Sequence, residues 1–120
     1  LNMSVFVLDY DHNAPNVAHL EKTHYPFYKR FRMHQPNTPI IMVSRPDIDP
    51  EKLPHKRAEI VKRTYERALS LGDTNVAFID GVTLFGTDLR DSCTVDGCHP
   101  NDLGFYRMAT VIGEAIEKYI

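Results

Sequence analysis

The sequence is short of several features that would sort it into a broad class. Its 120 residues contain no apolar run approaching the ~20 that a helix needs to cross a bilayer. It has no excess of either charge. Fourteen Lys and Arg face sixteen Asp and Glu, and a net charge of -2 supplies no basic field for nucleic acid or anionic lipid. Cysteine occurs twice, at Cys93 and Cys98. Without a second pair this is a poor zinc site, so no metal ligands are assigned from cysteine spacing. The short loop between them can close as a disulfide if the geometry permits, or the two thiols can stay reduced; both readings stand. Residues 1–8 carry no charged leader and no cleavage site, so no signal peptide is expected. A buried-strand pattern nevertheless begins within the first ten residues. The chain therefore reads as a fragment of a longer polypeptide, whose placement in the cell is open, with a periplasmic or extracellular one favoured.

What is present is the composition of an ordinary globular protein, 42% hydrophobic and 25% charged, at a length that allows one domain at most. Three runs, "VFVLDY" (5–10), "PIIMVS" (39–44) and "VAFID" (76–80), are nearly continuous in apolar residues, as strands buried on both faces are. Between the first two, Val17, Leu20, Phe27 and Phe31 recur at helical spacing, with Pro26 expected to kink or interrupt the helix. A second helix, from about residue 49 to a stop at Gly72, places Leu53, Ile60, Val61, Tyr65, Ala68 and Leu69 on one side. A third runs from about Asn101 to Tyr119, with Tyr106, Ala109, Ile112, Ala115, Ile116 and Tyr119 inward. Strands alternating with helices predict an α/β fold, a parallel sheet covered on both faces. The loops following the strands then share one edge, where such sheets bind ligands. Polar and reactive residues concentrate in those loops.

The last of them reads "VDGCHPND". Asp96 and His99 are a chemically sensible pair: the imidazole can act as general base for a hydroxyl, and the carboxylate can accept its other ring N–H and fix the tautomer. The pair directly precedes the closing helix, as in the SGNH (GDSL-type) hydrolases, which this chain resembles. There an Asp-x-x-His motif supplies acid and base to a Ser-His-Asp triad. "VFVLDYDHNAPN" is similar to the family's strand and Gly-x-Asn-Asp block, although Asp11 stands for the glycine and Ala14 for the aspartate. The resemblance places the oxyanion-binding asparagine at Asn13, with Asn16 as competing candidate. "TPIIMVSRPD" and "VAFIDGVTLFG" extend the likeness over nearly the whole chain.

The resemblance implies a three-layer α-β-α, flavodoxin-like fold, of which residues 1–120 are the C-terminal part with about three strands. It also implies a serine ester hydrolase or lipase-like acylhydrolase, with no cofactor, acting on a small ester such as an acetylated carbohydrate or acyl ester. The family's Gly-Asp-Ser nucleophile motif is missing, so this chain alone is expected to be inactive. "RDSC" around Ser92 precedes the acid–base pair and reads as a decoy; Ser44 can line the pocket, and Arg45 can contact a substrate oxygen or form a surface ion pair. The strand at residues 5–10 would have lost a neighbour, and its open edge predicts a homo-oligomer. Two other readings are open: a non-catalytic α/β binding module, and a metal-dependent hydrolase using Asp9, Asp11, His12 and His99. The other histidines, His19, His24, His34 and His55, are expected to face solvent.

Overall fold

A computed structural model of the chain describes residues 2–47 and 55–120. Three strands, β1 (Phe6–Leu8), β2 (Ile40–Val43) and β3 (Val76–Ile79), form one parallel sheet in the order β1-β2-β3. Phe6 is in register with Ile40, and Ile40 with Val76. Because side chains alternate along a strand, the apolar run of β2 divides between two cores. Ile40 and Met42 face helices α1 (Val17–His34) and α2 (Lys56–Ser70), meeting Tyr28, Val61 and Ala68. Ile41 and Val43 face α3 (Asp102–Glu117), meeting Ile112, Ala115 and Ile116. All four β2 residues are fully buried, as the middle strand of a three-layer sandwich must be. The α/β three-layer architecture and the three expected strands are therefore present. Among the described residues β1 pairs on one side only.

The helices depart from expectation in instructive ways. Pro26 does not interrupt α1, which is continuous through it. The buried stripe of α1 is Leu20, His24 and Tyr28, spaced by four, whereas Val17 and Phe27 lie on its exposed side. His24 thus corrects the expectation of a solvent-facing histidine. It is fully buried, and its Nδ1 bonds Thr64 Oγ1 of α2 at 2.8 Å, joining the two helices. Helix α2 begins at Lys56, and Leu53 lies outside the described residues; Leu69 is on the exposed side. In α3 Tyr106 and Ala109 face solvent, and Met108 and Val111 take the inward positions instead. Leu84 and Phe85, in the loop after β3, are fully buried core residues without periodicity to reveal them.

At the edge where the strands begin, Arg32 and Asp73 close the sheet. Arg32 Nε donates to Asp73 Oδ2 at 2.8 Å, and its Nη atoms donate to the carbonyls of Thr38 and Asn75. Burial pushes the Asp73 carboxyl up, but bonds from Tyr28 Oη, Asn75 N and Arg32 outweigh it and hold it below the usual range. At the other edge the chain passes so close to itself that Gly81 cannot carry a side chain: a Cβ there would lie 1.7 Å from the Arg45 carbonyl oxygen. Gly81→Ala must push apart the backbones following β2 and β3, and should cost at least about 2 kcal/mol of unfolding free energy in a urea titration.

Burial pushes the His24 imidazole down to about 4 from 6.5. The unfolded chain therefore binds the extra proton between those values, and stability falls as pH drops from about 6.5 to about 4. The loss should be on the order of 3 kcal/mol and be confined to that window. Urea titrations at about pH 7 and about pH 4 should show it, and His24→Gln should flatten that part of the profile.

Candidate active site

All three strands end at the same edge, and the loops that follow them meet there. The first loop makes a short 3-10 turn, Asp11–Asn13, before α1. Asp11 is fully buried; its Oδ2 accepts the Arg45 backbone N–H at 3.0 Å, joining this loop to the one after β2. Burial raises the Asp11 carboxyl, opposed by the N–H of Arg45 and by the charge of Arg57. From α2, Arg57 donates to the Asp11 and Ala14 carbonyls, so the turn is gripped from two sides.

The third loop is held by its own bonds. Asp96 Oδ1 accepts the backbone N–H groups of Cys98 (3.0 Å) and His99 (2.8 Å), while Oδ2 meets His99 Nδ1 at 2.7 Å. The His99 N–H and ring bonds, followed by the Cys98 N–H, lower the Asp96 carboxyl to about 2. It therefore stays ionised and keeps the proton of His99 on Nδ1, leaving Nε2 free to accept another. Thr94 bridges to Pro100, and Asn101 caps α3 by accepting the Gly104 N–H at 3.1 Å. Gly104 packs against this loop so tightly that a Cβ would lie 2.2 Å from the Cys93 carbonyl oxygen.

The two loops converge. A shallow depression is lined by His12, Asn13, Arg45, Cys98, His99 and Phe105, among others. The sequence-predicted residues Asn13, Arg45 and His99 are thus brought together, with Asp96 behind His99. Others are placed elsewhere. Asn16 caps α1 through a 2.8 Å bond from the His19 N–H and does not line the depression. Ser44 is fully buried, its Oγ accepting the Gly81 N–H at 2.7 Å, so it is a strut between strand ends rather than a pocket residue. Arg45 reaches both His12 Nδ1 (3.4 Å) and Asp47 (3.7 Å). None of the lining residues is a serine, Ser92 included.

Cys93 and Cys98 are not bonded to each other. Cys93 is buried under the loop with its Sγ toward the Phe85 and Leu89 carbonyls, while Cys98 Sγ lies 3.4 Å from His12 Nε2. The ligand set suggested by Asp9, Asp11, His12 and His99 does not form either, since Asp11 is buried and committed to Arg45. His55, expected in solvent, is half-buried, its Nδ1 3.2 Å from Asp47 Oδ2. The clamps Arg57 and Arg90 escaped the sequence reading, because clamps to backbone carbonyls leave no motif; Arg90 donates to the Val82 and Asp47 carbonyls, tying the second and third loops.

Solved structures share this fold. A structure assigned as a GDSL-like lipase from Bacteroides ovatus matches with a TM-score of 0.80 at 28% identity, covering 99% of this chain and 36% of that one. Salicylyl-acyltransferase SsfX3, from a tetracycline biosynthetic pathway, shares the fold with a TM-score of 0.73 at 19% identity, covering 98% of this chain and 38% of its own. The chain thus spans little more than a third of either protein. No curated protein matches the sequence. The sequence profile of the GDSL-like lipase/acylhydrolase family matches residues 1–117, and the chain belongs to that family.

Proposed function

We propose that these residues supply the general base, its orienting carboxylate and an oxyanion donor of a serine ester hydrolase, and that the nucleophile lies on polypeptide outside the chain. The observation carrying this reading is the 2.7 Å Asp96–His99 bond facing the same depression as Asn13. A serine hydroxyl attacks the ester carbonyl carbon while His99 Nε2 takes its proton. The carbonyl oxygen becomes an anion, which the Asn13 amide stabilises by donating an N–H. The intermediate collapses, the bond to the leaving oxygen breaks, and His99 returns the proton to the departing alcohol. Water then repeats the sequence on the acyl-enzyme. Asp96 orients the ring and stabilises the imidazolium without taking its proton.

The shallow, open depression suits a small ester, an acetylated carbohydrate or a short acyl ester, with Arg45 available to a substrate oxygen. The His99 side chain is 71% exposed, which fits a site whose other wall comes from the nucleophile-bearing segment. The free edge of β1 would then pair with a strand of that segment or of a second copy.

The test uses a longer polypeptide containing an upstream Gly-Asp-Ser segment, assayed on p-nitrophenyl acetate and labelled with a fluorophosphonate. We expect labelling at that serine, and a fall in kcat/KM of about 10³-fold or more for His99→Ala and Asp96→Asn. Asn13→Ala should lower kcat by about 10²-fold or more. The 120-residue chain alone should be neither labelled nor active. Activity in the longer polypeptide that survives His99→Ala would sink the reading; His99-dependent turnover by the short chain would overturn the assignment of the nucleophile elsewhere.

A further inference from the structure

The depression holds a second set of chemistry-bearing atoms that acyl transfer does not use. Cys98 Sγ, a ring nitrogen of His12 and a ring nitrogen of His99 all lie within 4.8 Å of one another, and among the described residues this is the one such group of three or more. We propose that His12, Cys98 and His99 form a binding site for a thiophilic divalent cation of the zinc class, and that its occupation blocks the site's own base.

Three features carry the proposal. The donors are one sulfur and two imidazoles, a set that suits zinc and excludes magnesium and calcium, which demand oxygen. The His12 Nε2–Cys98 Sγ separation is 3.4 Å. Bonds of about 2.0–2.1 Å to nitrogen and about 2.3 Å to sulfur, at tetrahedral angles, set neighbouring donors about 3.3–3.6 Å apart, so that pair is already spaced for a common ion. The remaining donors need to close by roughly an ångström, within reach of side-chain rotation at exposed positions. Lastly, His99 is already prepared as a ligand. Asp96 holds its Nδ1–H at 2.7 Å and leaves Nε2 as the coordinating atom, the carboxylate–histidine–metal arrangement that fixes ligands in many zinc sites.

Both loops that carry the donors are braced, one by Asp11 and Arg57, the other by the Asp96 turn. On binding, the Cys98 thiol releases its proton to solvent and coordinates as thiolate. The His12 ring takes its proton on Nδ1, and Arg45 exchanges its 3.4 Å contact there for the nearby Asp47 carboxylate. Three protein donors leave a fourth position for water or a carboxylate. A metal on His99 Nε2 occupies the lone pair that would accept the serine proton, so occupation and catalysis exclude each other; this consequence, unlike the binding itself, rests on the catalytic reading of His99.

Cobalt(II) is the probe, added to untagged protein in the longer polypeptide, because a cobalt–thiolate bond shows a charge-transfer band in the near ultraviolet. We expect that band at one equivalent, preserved in Cys93→Ala and displaced by zinc. It should vanish in Cys98→Ser, and zinc affinity, read by calorimetry, should fall at least tenfold in His12→Ala and in His99→Ala. A missing band, a band that survives Cys98→Ser, or zinc affinity indifferent to His12→Ala would overturn the site. Esterase activity that requires His99 alongside no cobalt band would remove the metal site and leave the hydrolase reading intact. A normal cobalt band in a protein whose turnover ignores His99 would do the reverse.

Discussion

A single buried carboxylate ties together two of the loops on which the site is built. Asp11 follows β1, is sealed from solvent, and finds its partner in the backbone N–H of Arg45, the second residue past β2. An unpaired carboxylate in such a place would be costly, so the two loops are held wherever that bond can be made. Arg57 adds its guanidinium to the carbonyls on the same turn, and its charge opposes the burial that raises the Asp11 carboxyl. His12 and Asn13 are thereby set beside Arg45 at the sheet edge. Where the family block carries glycine, this chain has an aspartate that does structural work.

The Asp96–His99 pair is organised by the opposite strategy. Asp96 and His99 are exposed, and what orders them is a turn in which one carboxylate accepts two backbone N–H groups and a ring nitrogen. Those donors, rather than burial, hold Asp96 ionised and His99 in one orientation. Gly104 and Asn101 then lock the turn onto the start of α3, so His99 is positioned by a helix rather than by a free loop. In the proposed reaction such preorganisation would spare these groups from reorienting when charge develops. The same imidazole has a ring nitrogen of His12 and the Cys98 sulfur within 4.8 Å.

Much of this was legible in the chain. The continuous apolar runs of β2 and β3 announced buried parallel strands, because strand burial is local and leaves a period behind; Asp-x-x-His spacing was a weak signal by itself, and the resemblance to the family's last motif is what pointed to the pair. Pairwise contacts across the fold left nothing comparable. His24 looked like any polar helix residue until Thr64, forty positions away, supplied its partner. Ser44 and Asn16 had suitable side chains for a pocket, yet the nearest backbone N–H claimed each of them. Tyr106 and Ala109 fit a helical period, but the sheet touches α3 along a slightly rotated stripe.

The sequence alone determined the class of fold and the three strands found among the described residues, since these follow from periodicity, and its resemblance to the family singled out the loop bearing Asp96 and His99. Tertiary structure decided which polar side chains are struts and which face the depression, and it decided that residues 12 and 98 are neighbours. The reason is that a parallel sheet gathers its strand ends at one edge irrespective of the sequence between them. Contacts made there depend on register and crossover, which no local pattern encodes.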